Sequence, residues 1–282
     1  MPDQNSHIHN VCAPRFLYGT AWKEDQTQRL TELALQQGFR GIDTASQRRH
    51  YHEAAVGQAI AASIDSGVVV REDLFLQTKF TFQAGQDHRL PYDPKEPIPT
   101  QVRQSFASSL EHLGVERIDS YLLHGPEQRE GLTANDFAAW RAMEDLHASG
   151  QARVLGVSNF TREQLERLCG EARVRPHIVQ NRCYADQGWD RRVREFCSAE
   201  GLVYQGFSLL TANQHALASP LLASIAKRHG RTPSQIIFRF ALEIGITPLT
   251  GTTDVGHMRD DLAVFDFHLL PEEVEQIERL AA

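Results

Sequence analysis

The chain has 282 residues, with 29 Lys and Arg against 36 Asp and Glu, a formal net charge of −7, 41% hydrophobic and 23% charged residues. That composition suits a globular chain with a large buried core, and the scattered basic residues argue against nucleic-acid or anionic-membrane partners. No apolar run approaches the roughly 20 residues of a spanning helix, and residues 1–10 lack a secretory signal pattern, so a cytoplasmic protein is expected.

Short apolar or β-branched runs alternate with amphipathic stretches along the whole chain, the pattern of repeated βα units around a parallel sheet. In chain order the predicted strands are Phe16–Thr20, Gly41–Asp43, Leu74–Lys79, Ile118–His124, Ala152–Val157, Ile178–Gln180, Val203–Phe207 and Thr247–Gly251. Helices are predicted over Asp25–Gln37, Ala54–Ser63, Thr100–Leu113, Ala134–Ala148, Arg162–Glu171, Asp190–Ala199 and Ser234–Glu243, with a short helix-like Pro271–Leu280 at the end. Thr161 and Thr232-Pro233 are helix start signals, and Gly38, Gly114, Gly150, Gly201 and Gly245 are stop signals. Eight units without a linker predict one domain over 1–282, an α/β (β/α)8 TIM barrel. The irregular, proline-rich His88–Pro99 follows the third strand, as a spacer or a substrate lid.

Four cysteines, Cys12, Cys169, Cys183 and Cys197, show no CxxC pair, and His50-Tyr51-His52 has no partners spaced to complete a metal shell. Reduced thiols and no metal are expected.

Polar groups close many strands: Asp43, Lys79, His124, Ser158-Asn159 and Gln180. In a β/α barrel these ends share one face, so residues distant in sequence converge on one mouth. Singly, each has a structural explanation, such as a helix cap for Asp43 or a solvent-directed Lys79. Together, charges of both signs at consecutive strand ends point to a catalytic site.

The chain resembles the aldo-keto reductases through Gly38-Phe39-Arg40-Gly41-Ile42-Asp43-Thr44-Ala45, Glu53-Ala54-Ala55-Val56-Gly57, Leu122-Leu123-His124, Gly156-Val157-Ser158-Asn159-Phe160 and Val264-Phe265-Asp266-Phe267. The resemblance runs from about Gly19 to Phe267 and rests on the order and spacing of these motifs. It implies NADPH- or NADH-dependent reduction of an aldehyde or ketone, with a catalytic set of Asp43, Tyr51, Lys79 and His124. The family's Tyr-x-Asn-Glu pattern is disturbed: position 48 is Arg, and Tyr51 reaches the site through an inferred insertion of about two residues, leaving His50 or His52 as alternative proton donors. Lys79 is expected to favour phenolate at the tyrosine, Asp43 to orient Lys79, and His124 to hydrogen-bond the substrate oxygen.

By the same resemblance Ser158, Asn159 and Gln180 hold the nicotinamide carboxamide, Phe207 stacks on the ring, Ser208 and Leu209 belong to a phosphate-contacting loop, and Trp22 lines the substrate pocket. After the eighth strand the family's Lys-Ser pair and following Arg, which meet a 2′-phosphate, are matched by Gly251, Thr252 and His257, with Arg259 and Asp261 beyond. Two cations are lost, and the preference between NADPH and NADH stays open. The short tail after Phe267 predicts a relatively open pocket with breadth toward aldehydes or ketones; the expected partner is a small-molecule carbonyl substrate, and the expected state a monomer or small homo-oligomer. An alternative is a nicotinamide-nucleotide-binding regulatory or partner subunit with little turnover.

Overall fold

The computed structural model describes residues 4–280. Its centre is a closed parallel barrel of β3 (Leu17–Gly19), β4 (Gly41–Asp43), β5 (Phe75–Phe80), β6 (Ile118–Leu123), β7 (Ala152–Ser158), β8 (Ile178–Arg182), β9 (Val203–Phe207) and β10 (Ile246–Thr250). Neighbours in sequence are neighbours in the sheet, and β10 closes on β3 through Leu249 opposite Leu17. All eight predicted strands are present, with ends displaced by at most two residues.

The predicted helices appear as α1 (Thr27–Gln37), α2 (Glu53–Asp65), α3 (Ile98–Leu113), α4 (Ala134–Ala148), α5 (Arg162–Glu171), α6 (Arg191–Glu200) and α9 (Pro233–Glu243), and the tail forms α11 (Pro271–Glu278). Thr161 and Thr232 each accept a hydrogen bond from the N–H three residues on, and a Gln there returns the bond, closing a capping box. Gly38 ends α1 at φ +112°, a left-handed conformation that glycine adopts at little cost. At Gly57 a Cβ would lie 2.0 Å from the His112 carbonyl, so the glycine lets α2 press against the end of α3.

Five elements were not foreseen: the strands β1 (Asn5–Ile8) and β2 (Val11–Pro14) of an antiparallel hairpin, and the helices α7 (Gln214–Leu217), α8 (Pro220–His229) and α10 (Val255–Leu262). Ser219-Pro220 opens α8 just as Thr232-Pro233 opens α9, with the Ser219 side chain accepting from Leu222 N–H at 3.1 Å. The hairpin covers the bottom of the barrel, where Ile8, Val11 and Ala13 join Leu17, Phe75, Leu122, Val154, Ile178 and Leu249 in one apolar cluster. Full burial of such a Val or Ile side chain contributes about 1.5–3 kcal/mol.

The proline-rich stretch is tied back to the residue that follows β5. Tyr92 within it is buried and donates to the Thr81 carbonyl at 2.8 Å, and Pro99 lies in the first turn of α3, where no N–H is missed. Among the described residues no helix is long and apolar enough to cross a membrane.

Candidate active site

Alternation along β5 turns Phe75, Gln77 and Lys79 into the barrel, and strand register sets what they meet. Asp43 lies level with Gln77, Gln77 with Ser120, and Gln180 with both Ser158 and Gln205. The Lys79 ammonium, fully buried, donates to Asp43 Oδ1 and Oδ2 at 2.7 and 2.8 Å and to the Thr44 carbonyl at 2.8 Å. Asp43 Oδ1 also accepts from Gln77 Nε2 at 2.7 Å and Gln180 Nε2 at 3.0 Å.

These contacts extend into an amide network that the sequence reading missed. Gln77 Nε2 donates to Gln205 Oε1 at 2.8 Å, Gln205 Nε2 returns to Gln77 Oε1 at 3.2 Å, and Ser120 Oγ donates to Gln77 Oε1 at 2.9 Å. A carboxylate only accepts, so Asp43 fixes which end of each amide faces it. Gln180 Nε2 also donates to Gln205 Oε1 at 2.9 Å, which spends both of its hydrogens.

At the mouth Tyr51 lies beside this pair. Its ring centroid is 5.2 Å from Lys79 Nζ and 5.9 Å from the His124 ring. Of the three candidate proton donors, His50 instead stacks on Trp22 with centroids 3.9 Å apart, and His52 stands at the N-cap of α2 with Nδ1 buried and unpartnered. The turn that delivers Tyr51 is held by its N–H bonding to the Gln47 carbonyl at 3.0 Å, and Trp22 N–H bonds to the His50 carbonyl at 2.8 Å. Glu53, at the start of α2, accepts from the Thr78 hydroxyl on β5 and so ties the turn to the barrel wall.

Burial raises the Tyr51 phenol above its usual pKa, and the Asp43 charge adds to this. The Lys79 hydrogen bonds go to Asp43 and Thr44, and among the described residues none is made to the Tyr51 hydroxyl. Burial also lowers Lys79, with Asp43 opposing, and holds His124 well below the ordinary imidazole value, assisted by the Lys79 and His50 charges. His124 Nδ1 and the Thr81 hydroxyl are 2.7 Å apart, a partner the sequence reading also missed.

Along the rim Ser158 is buried and Asn159 exposed, with Asn159 Nδ2 donating to the His124 carbonyl at 2.8 Å and to Ser158 Oγ at 3.1 Å. Trp22, Asn159 and Ser208 follow barrel strands at φ +61°, +59° and +59°, a strained conformation for side-chain-bearing residues that clusters here at the mouth. Phe207 has the Arg182 guanidinium 5.4 Å from its ring centre. Leu209 is buried at 1% exposure, and its carbonyl accepts from Asn213 Nδ2 at 2.8 Å.

Beyond β10, Gly251 and His257 are exposed, and Asp254 caps α10 by accepting from His257 N–H at 2.9 Å. Arg259 is drawn to Gln37 Oε1 at 2.8 Å. Thr252 lies between these, its carbonyl accepting from the Tyr18 hydroxyl at 2.9 Å. Asp261 is buried, its carboxyl pushed up to about 7 by desolvation, and its Oδ2 has no partner. Among the described residues no cluster of three His, Cys, Asp or Glu could hold a metal, and all four cysteines are free.

The sequence model of the aldo/keto reductase family matches residues 16–282. The chain belongs to that family. Membership makes it an oxidoreductase of carbonyl compounds, dependent on a nicotinamide nucleotide. It is 31% identical over 279 residues to aldo-keto reductase family 1 member C1 of Macaca fuscata fuscata, covering 89% of this chain and 81% of that protein. An aldo/keto reductase structure from Brucella melitensis superposes with a TM-score of 0.82 at 27% identity, covering 98% of each chain. The Bombyx mori aldo-keto reductase in complex with NADP gives 0.81 at 25% identity, over 98% of this chain and 92% of that one.

Proposed function

We propose that this chain, as one barrel domain in the cytoplasm, reversibly reduces a small aldehyde or ketone, with Tyr51 as general acid. The observation that carries this reading is the meeting of Tyr51, His124 and the buried Lys79–Asp43 pair at one mouth. When bound, NADPH or NADH supplies the hydride.

The residues fit a nicotinamide carboxamide. Both Gln180 amide hydrogens are spent inside the barrel, so Oε1, which takes no bond among the described residues, remains as an acceptor for an amide N–H. Ser158 Oγ accepts from Asn159 and keeps its own hydrogen to donate to an amide carbonyl. Phe207 offers a ring face nearby, and the backbone of Ser208 and Leu209, with Thr252, His257 and Asp261, forms the remaining nucleotide contacts.

Reduction puts negative charge on the substrate oxygen. The Tyr51 hydroxyl takes no hydrogen bond among the described residues and is free to donate there, and its raised pKa keeps the proton in place until it is needed. Lys79, kept charged by Asp43, stabilises the phenolate left behind. With Thr81 donating to Nδ1, the neutral His124 presents Nε2–H to the carbonyl oxygen. Exposed Trp22 lines the substrate side.

Tyr51→Phe is the test. Turnover with a panel of aldehydes and ketones should fall about 10²–10⁴-fold, while the affinity for NADPH and NADH, read by cofactor fluorescence, stays within about twofold. Retained turnover would move the acid role to His50 or His52. A parent protein that binds the nucleotide but consumes none with any carbonyl would favour a regulatory subunit.

A further inference from the structure

A cluster of basic side chains gathers at the end of the barrel opposite the mouth. The tip of the hairpin, His9 and Asn10, reaches toward the starts of β6 and β7, and a cavity of about 440 Å³ lies there, bounded by His9, Asn10, Arg117, His147 and Arg153. Four of these side chains are basic, and among the described residues no carboxylate lines the space. β7 runs from Ala152 at this floor to Ser158 at the mouth, about 20 Å along the strand.

The donors here are under-used. The Arg117 guanidinium makes no hydrogen bond or ion pair among the described residues; only its carbonyl is engaged, by Arg71. Arg153 donates to Asp119 Oδ1 and to the Asn10 carbonyl, each at 3.2 Å. Asp119, buried behind this wall, is shared between Arg71, Arg153 and the Leu76 N–H, so one carboxylate answers two guanidiniums and leaves nothing for Arg117. His147 donates from Nδ1 to the Ala152 carbonyl at 3.0 Å, which leaves Nε2 for a ligand.

His177 completes the cluster from below, with its ring 4.2 Å from that of His9 and 5.6 Å from that of His147. It is 8% exposed. Its Nδ1 takes the Leu155 N–H at 3.0 Å, the shorter of its two contacts with that residue, which puts the ring proton on Nε2, a donor without an acceptor among the described residues. Burial holds the ring neutral, and the His9 and His147 charges push the same way with no carboxylate acting against them. A cavity walled by one sign of charge draws in the other.

We infer that this floor cavity binds a small, multiply charged oxyanion, gripped by Arg117 and Arg153 with His9, His147 and His177 as further donors. Guanidiniums take the paired oxygens of a phosphate or carboxylate in two parallel bonds, and the volume falls in the range of small-molecule pockets. The site does not depend on the nicotinamide-nucleotide reading of the mouth.

The intact protein, Arg117→Met, His9→Asn and Arg279→Met are titrated with pyrophosphate and with citrate by calorimetry at low ionic strength, with and without NADPH. Asn tolerates the left-handed backbone of residue 9, φ +51°, so the hairpin turn survives the loss of the imidazole. Arg279, exposed after α11, is the control for lost net charge. Binding should weaken about 10- to 100-fold in Arg117→Met, at least about threefold in His9→Asn and less than about twofold in Arg279→Met. Binding of one probe alone names phosphate or carboxylate as the group taken. A parent that binds neither probe, floor variants that bind like the parent, or binding abolished by NADPH, the behaviour of an anion seated at the mouth, overturns the inference and leaves the reductase reading intact.

Discussion

Replacing Asp43 by Asn changes charge and almost no volume, so its effect falls on Lys79. Asp43 Oδ1 serves three donors, Gln77, Lys79 and Gln180, whereas Oδ2 serves Lys79 alone. The variant's amide oxygen therefore takes the Oδ1 place, and its NH2 faces the ammonium, donor against donor. Lys79 then keeps two neutral acceptors, that oxygen and the Thr44 carbonyl, in a fully buried position. A buried charge stripped of its counter-ion costs about 3–5 kcal/mol. The converse change is milder, because in Lys79→Met the carboxylate retains Gln77 and Gln180, so a loss at least about 1 kcal/mol smaller is expected.

Urea denaturation of both variants at pH 7 measures the difference. The pH dependence gives a second check. In Asp43→Asn the folded pKa of Lys79 falls further below its unfolded value of about 10.4. Below the folded value both states are protonated and the full penalty applies. Above it the unfolded chain binds the extra proton, so stability recovers as pH rises. The deficit should shrink as pH rises toward the unfolded value of about 10.4. A deficit that widens with pH, or Asp43→Asn proving the milder change, would refute the reasoning.

Gln77→Leu leaves the Ser120 hydroxyl and Gln205 Nε2 without their partners inside the barrel, at about 1–3 kcal/mol each; a urea midpoint equal to the parent's would show that the network contributes nothing. His177 is held neutral, with its pKa lowered from 6.5 to about 4, chiefly by burial. Stability should thus fall as pH drops through that window, since the unfolded chain takes the proton first. His177→Asn, whose amide oxygen can still accept from Leu155 N–H, should flatten this part of a melting-temperature profile; an unaltered slope would assign the acid sensitivity elsewhere.

The barrel was legible because each βα unit carries its own punctuation: Gly41–Asp43 and Val203–Phe207 have the bounds read from sequence, and the capped α5 likewise. The hairpin escaped because its burial pattern is set by Ile8, Val11 and Ala13 among polar neighbours, and only a barrel floor gives them something to cover. The polar strand ends were visible, whereas Gln77 and Gln205 were hidden inside runs read simply as strands. A signal existed: each lies two residues before a residue singled out, Lys79 and Phe207, and therefore on the same inward face. For Lys79 the sequence supplied the neighbours but not their distances, so its bonds to both Asp43 oxygens and to the Thr44 carbonyl are visible only in the fold.

The hairpin's position has a consequence for assembly. Ile8 and Val11 come early in the chain, yet the surfaces they rest on, from Phe75 through Ile178 to Leu249, are spread across nearly all that follows. Their seat does not exist until the ring of strands has shut, so this leading segment stays an idle thread while the staves are gathered. Like the head of a cask, it is fitted last although it was made first.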